Sequence, residues 1–351
     1  MGRLIDEKYQ KYTKTRSGGV YYDVMKPITA LFLEALAVCS LSIAFALRAA
    51  PVKISFLDNE DALKQTTGFL ATNGCDSDSV NLFRTVVYWN NKSPLGFDLK
   101  RFPNNENGFY SFQSVSNLAD ALPQPLINAA HPDQLNCFDC VILLAGNLIQ
   151  TKLQPDSISG PFIVSVPPTN AFVSVMTIME TPRDAFNAEY PAWHIEASKA
   201  VFGESRQNKR ICLTAAFNSY CFLPQATTHN NLKTSLMEVL QANWKRQGIV
   251  FPTNMEIVIC HSAVLNESGG PLFAPFAWAT HSGLLFQNNG QYVYIEKAGA
   301  SGPYVRLDFT NKKDLFPWLK SVIVSTTVER DHLFATFNDR EIVSLDDAGK
   351  R

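Results

Sequence analysis

The clearest alternation of hydrophobic and polar positions lies late in the chain. Thr280-His281-Ser282-Gly283-Leu284-Leu285-Phe286 and Tyr292-Val293-Tyr294-Ile295-Glu296-Lys297 flank the polar segment Asn288-Asn289-Gly290-Gln291. Asn-Gly suits a two-residue type I′ turn, whose central positions both need φ > 0. With Asn289 and Gly290 central, Asn288 pairs with Gln291. Counting outward then sets Gly283 opposite Glu296 and His281 opposite Ala298. Side chains alternate along a strand, so His281 and Glu296 share one face, a diagonal step apart. A carboxylate among Tyr, Val and Ile, on the face of an imidazole, pairs a candidate base with the group that orients it.

Other segments carry simpler patterns. Val80, Phe83, Val86 and Val87 predict a helix over 79–89 with Asp78 or Ser79 as N-cap. The strongly apolar stretch 138–149 predicts a buried helix. Two strand-like runs, 162–166 and 172–176, are separated by a Pro-Pro turn, and 210–222 reads as a strand pair or a strand and turn. Leu232, Leu236, Met237, Val239, Leu240 and Trp244 predict a helix closed by Gly248. Strands follow over 255–264, 281–287, 291–297 and 304–309, then a short helix over 314–322, a strand over 332–337 and a last strand end. Helices come mainly first and antiparallel strands last, which predicts an α+β fold rather than a doubly wound parallel sheet.

The N-terminal part differs from the rest. Ile28 to Leu47 is nearly all apolar, interrupted by Glu34 and closed by Arg48. Its length suits one membrane crossing, although Glu34 is costly at mid-bilayer. If Met25 is the true start, the segment is a signal peptide with small residues Ala46, Ala49 and Ala50 near its end. A buried amphipathic helix is the alternative. Lys8, Lys11, Lys14, Arg16 and Lys26 precede the segment and favour an inside N-terminus. The expected organisation is a cytoplasmic or untranslated leader over 1–27, a signal peptide or membrane anchor over 28–50, a linker over 51–74 and one α+β domain over 75–351. Export places that domain in the cell envelope or outside the cell. A net charge of −1 and the lack of an aromatic-interleaved basic run give no support to nucleic-acid binding.

The hairpin supplies a base, so a nucleophile must come from elsewhere. A thiol is best activated at a helix N-terminus. Asn136 is a good N-cap, which sets Cys137 in the first turn, Asp139 near the third position and Cys140 one turn inward. The rival register uses Asp139 as the cap and exposes Cys140. Gln134 is a candidate oxyanion donor beside the cysteine N–H. Cys137-x-x-Cys140 also has the spacing of half a zinc site or of a redox pair, but no second pair follows and no thioredoxin-like strand precedes it. No metal or other cofactor is expected. His131, His194, His229, His261 and His332 lack a partner comparable to Glu296, and Trp278 reads as wall or core.

A cysteine at a helix start, followed much later by His on one strand and a polar residue on the next, resembles the order of papain-like folds. Asp139-Cys140-Val141-Ile142-Leu143 is similar to the Asp-Cys-x-x-Leu start of NlpC-type cell-wall peptidases. A closer resemblance is to a bacterial surface family known as domain of unknown function 4300. It is carried by Asn136-Cys137, Thr280-His281-x-Gly283-Leu284-Leu285, Glu296-Lys297, Pro303-Tyr304, Phe309 and Phe337-Asn338-Asp339. The chain departs from it at Phe138, where that family usually has Arg. The resemblance implies a papain-like, NlpC-type fold with an N-terminal helical part and a C-terminal antiparallel sheet. It also implies a Cys137-His281-Glu296 constellation, with Cys140 as the alternative nucleophile. The expected activity is that of an exported or membrane-tethered thiol hydrolase acting on amide or peptide bonds, with a peptide or peptidoglycan-like substrate and the membrane, through 28–50, as partners. A non-catalytic surface binding module on the same scaffold is the competing expectation.

Overall fold

The computed structural model describes residues 52–92, 94–102, 106–122, 135–154, 192–217, 220–223, 228–265, 275–298, 302–324 and 332–346. The expected leader and anchor segment and the strand-like runs at 162–166 and 172–176 lie outside them. Among the described residues no helix is long and apolar enough to cross a membrane.

In chain order the elements are β1 (Val52–Ser55), α1 (Glu60–Thr72), α2 (Ser77–Asn90), β2 (Tyr110–Phe112), α3 (Val115–Ala121), α4 (Cys137–Ala145) and α5 (Ala192–Phe217). They continue with β3 (Tyr220–Phe222), α6 (His229–Arg246), β4 (Glu256–Val264), β5 (Phe276–Asn288), β6 (Gln291–Lys297), β7 (Tyr304–Phe309), α7 (Leu315–Val324), β8 (His332–Phe337) and β9 (Glu341–Ser344). The strands form one antiparallel sheet in the order β2-β1-β7-β6-β5-β4-β8-β9, with β3 paired to β5 off that path. The fold is α+β. The β5–β6 turn has Asn289 at φ 49° and Gly290 at φ 78°, and Asn288 pairs with Gln291 and Gly283 with Glu296.

Several boundaries correct the sequence expectations. The stretch read as a linker builds β1 and α1. β1 is only four residues long, too short for alternation to be conclusive, yet it pairs with both β2 and β7. α1 is capped by Asn59 and buries Ala62, Leu63, Thr66 and Leu70 on one face. α2 begins earlier than expected because Asp76, rather than Asp78 or Ser79, caps it, its Oδ1 accepting the Ser79 N–H at 2.9 Å. Residues 210–217, expected as strand, finish helix α5, which is broken at Gly203 (φ 66°). α4 stops at Ala145, before the end of its apolar run. α6 ends one residue earlier than expected, with Gln247 as cap and Gly248 at φ 64° after it.

The sheet separates two apolar clusters. On one face Ile257, Ile259, Leu284, Phe286, Val293 and Ile295 pack with α1, α2, α4, α5 and α6. On the other, Val258, Leu285, Val305, Leu307 and Phe337 pack with α3 and α7. Buried polar side chains tie elements together. The indole N–H of Trp244 donates to the Ala216 carbonyl at 3.0 Å. Asn338, buried at φ 51°, accepts the Ile257 N–H at 2.7 Å and donates to the Met255 carbonyl at 3.2 Å. It thereby staples the end of β8 to the start of β4. Asn338→Ala leaves two buried backbone groups unpaired and forces a Cβ residue without a local hydrogen bond into the left-handed region. We expect a loss of about 3 kcal/mol, measured as a lower urea midpoint with an unchanged slope.

Candidate functional site

The first half of the site is the start of α4. Asn136 Oδ1 accepts the Asp139 N–H at 2.9 Å, and Asp139 Oδ2 accepts the Asn136 N–H at 3.1 Å. This capping box is the register expected with Asn136 as cap. Cys137 is the first helical residue, while Cys140 turns into the core at 1% exposure. Asp139 has a second task. Its Oδ1 accepts Nε of Arg210 on α5 at 2.5 Å, with both side chains about 1% exposed. The guanidinium also lies over the Phe202 ring at 5.5 Å. Sequence reasoning missed Arg210, since a pairing 71 residues away has no local signature and its segment was read as strand.

The second half is a break in the ladder along β5. Among the described residues one edge of β5 pairs with β4 over 276–285, but the other pairs with β3 over 276–278 and with β6 over 283–288. His281 lies between those two stretches. The β4 register also shifts there, so Cys260 faces His281 while His261 faces Ala279, leaving Thr280 as the extra residue of a bulge. Bulges re-aim neighbouring side chains. His281 Nε2 lies 2.5 Å from Glu296 Oε2, and Trp318 on α7 donates its indole N–H to Glu296 Oε1 at 2.9 Å. The Cys137 side chain acts on the same imidazole.

Electrostatics follow from burial. Burial by itself opposes charge on His281. The Glu296 carboxylate and then the charge and hydrogen bond of Cys137, with the Glu296 hydrogen bond, outweigh it and raise the imidazole to about 10. Burial, Glu296 and Cys137 together push the Cys260 thiol well up. Burial and the neighbouring Glu296 do the same to the Tyr294 phenol. Gly283 makes room for that phenol, since a Cβ there would lie 2.3 Å from the Tyr294 hydroxyl oxygen. The glycine of the His-x-Gly motif therefore answers to a side chain of the facing strand.

The structure thus brings Cys137, His281 and Glu296 together, while Cys140 lies one turn inward in the first apolar cluster. Gln134 lies outside the described residues. Trp318, Tyr294 and Cys260 join the site without a sequence signal, because only tertiary packing and the bulge bring them there. His261 is buried, 3.3 Å from Thr336 Oγ1, and desolvation lowers its pKa to about 3. His332 Nδ1 lies 3.1 Å from Asp346 Oδ2. The described cysteines are free thiols. Trp278 is half-buried and stacks on Phe276 at 5.3 Å, in keeping with a wall position.

Residues 214–331 match the model of a family described as Domain of unknown function (DUF4300). Over these residues the chain is similar to the DUF4300 family. The DUF4300 match takes in Cys260, His281, Tyr294, Glu296 and Trp318, and begins after Cys137, Asp139 and Arg210. No curated protein and no solved structure matches the chain.

Two predictions follow from the buried charges. Arg210→Met leaves Asp139 charged in the interior and is expected to cost about 3–5 kcal/mol in denaturant unfolding; adding Asp139→Asn should restore part of it. The histidines give opposite pH slopes. Below pH ~6.5 the unfolded chain binds a proton at His261 that the fold refuses down to about 3, so stability falls towards acid. Above ~6.5 the fold keeps a proton on His281 that the unfolded chain has released, so its stabilisation declines as pH rises through about 10. Each slope is bounded by about 1.4 kcal/mol per pH unit. Urea midpoints between pH 4 and pH 9 should show His261→Gln flattening the acid side and Glu296→Gln the alkaline side.

Proposed function

We propose that this protein is a thiol hydrolase of amide or peptide bonds with a papain-like arrangement of helix and sheet. The observation that carries the reading is a single buried imidazole bonded to a buried carboxylate and acted on by the charge of a helix-start thiol. In this reading the Cys137 thiolate, its proton already held on His281, attacks the substrate carbonyl carbon. The imidazolium returns that proton to the departing amine, and the C–N bond breaks to leave a thioester. Water, deprotonated by His281, then attacks the thioester and frees Cys137. Glu296 holds the ring towards sulfur, the orienting role of the third member of a triad. Trp318 steadies Glu296 in turn. The Cys137 backbone N–H, at a helix start where donors lack intrahelical acceptors, is available to the oxyanion.

Cell-wall peptide is the substrate class suggested by the likeness to NlpC-type peptidases, and that warrant is analogy. The cell envelope, reached by cleavage or anchoring at 28–50, is the matching compartment. One observation favours a second reading, a non-catalytic surface module on this scaffold. Cys137, His281 and Glu296 are 5%, 3% and 0% exposed.

The two readings separate by alkylation followed by peptide mapping. With limiting iodoacetamide at pH 6.5, a hydrolase should carry the label on Cys137 before Cys75, Cys140, Cys212, Cys221 or Cys260. His281→Ala should slow that labelling at least tenfold. Muropeptides incubated with the protein should lose an amide bond, and Cys137→Ala should stop this while Cys140→Ala does not. Labelling of Cys137 no faster than of the other thiols, together with intact muropeptides, would overturn the hydrolase reading.

A further inference from the structure

A groove of about 690 Å³ lies between α1 and α2, and its lining shares no residue with the Cys137–His281–Glu296 cluster. Its size falls within the range of small-ligand sites. One wall is a continuous face of α2, with Asn81, Arg84, Thr85 and Tyr88 followed by Lys92 at helical spacing. At 1.5 Å per residue this row runs for roughly 16 Å. Every member carries a hydrogen-bonding group, and Tyr88 adds a flat ring that is 62% exposed. The Lys92 ammonium lies 5.1 Å from the centre of that ring.

The floor is built rather than incidental. Leu57, fully buried, holds φ 51°, an uncommon conformation for a bulky residue. Its N–H donates to Ser55 Oγ at 3.1 Å, and its carbonyl accepts from the Asn91 side chain, itself part of the lining. The turn that presents Asp58 and Glu60 at one rim is thereby fixed. Lys64, Arg84 and Lys92 supply positive charge, and among the described residues Lys64 and Arg84 make no ion pair.

We propose that this groove binds an acidic oligosaccharide. A sugar ring offers a C–H face to Tyr88. Its hydroxyls can donate to Asp58 and Glu60 and exchange hydrogen bonds with Asn81, Thr85 and Asn91. A uronate carboxylate completes the match with Arg84 and Lys64. A peptide fits less well, because apolar anchoring is confined to Leu57 and Leu63 on the floor. The assignment is independent of the hydrolase reading.

Titration calorimetry of the full chain tests it with three probes: tetragalacturonate, chitotetraose as a neutral sugar of the same length, and tetraglutamate as an anion without rings. Tetragalacturonate should bind with an affinity that falls as salt rises, at least tenfold tighter than either of the others. Arg84→Ala and Tyr88→Ala should each weaken it tenfold or more, whereas Tyr88→Phe should keep the affinity. These side chains are exposed, so the variants should unfold at the wild-type midpoint. No binding of tetragalacturonate at millimolar concentration overturns the proposal. So does binding unchanged by Arg84→Ala and Tyr88→Ala, or tetraglutamate binding as tightly as the sugar.

Discussion

The site depends on one constraint, the register of the β5–β6 hairpin. Asn289 and Gly290 both take positive φ, and that fixes the pairing from Asn288–Gln291 through to Gly283–Glu296. A slip of one residue would send every β6 side chain to the opposite face. Glu296 would then leave His281, and Ile295, which packs against the helices, would exchange places with it. The apolar residues of β6 therefore hold the carboxylate in position as firmly as the turn does. Burial of Val293 and Ile295 on one face is incompatible with a slip by any odd number of residues.

A carboxylate with no exposed surface is costly unless it is bonded. Glu296 meets this cost with donors from two directions, His281 across the strand pair and Trp318 from the helix on the same side. Asp139 is treated in the same way, by its own helix cap and by Arg210. The two buried acids thus do comparable work for the two halves of the site. One fixes the ring of the histidine. The other fixes the first turn of the helix that presents Cys137 and joins it to α5. Neither pair stabilises the fold strongly in net terms, because desolvation consumes most of the Coulombic gain. Their consequence is geometric, since each loses its balance if the partner moves.

Legibility in the sequence followed the range of the interaction. The Asn-Gly turn and the Asn136-x-x-Asp139 cap are local, and both yielded the observed register. The strands from β6 to β8 were delimited by alternation next to turn residues. By contrast, β1 is four residues long and gains its identity only from neighbours far along the chain. Arg210 and Trp318 reach Asp139 and Glu296 from other helices, 71 and 22 residues away. The bulge that sets Cys260 opposite His281 inserts one residue into β5, and no pattern of period two predicts its own interruption. Asn338 and Gly283 were visible as motif letters, but their reasons, a staple to β4 and space for Tyr294, needed the packed structure.

The choice between the two cysteines shows how a local rule can decide a distant contact. With Asp139 as the cap, Cys140 would begin the helix and Asp139 could not occupy the third helical position. The reciprocal bonds between Asn136 and Asp139 would be lost, and with them the orientation that gives Asp139 Oδ1 to Arg210. Moving the helix start by three residues would also turn Cys137 out of the first turn and away from His281. The cap, the buried ion pair and the thiol–imidazole contact are satisfied by one register and broken by the other. A capping box of two short side chains is thus enough to select which thiol faces the histidine, because the ion pair and the strand register have already fixed where the helix must point.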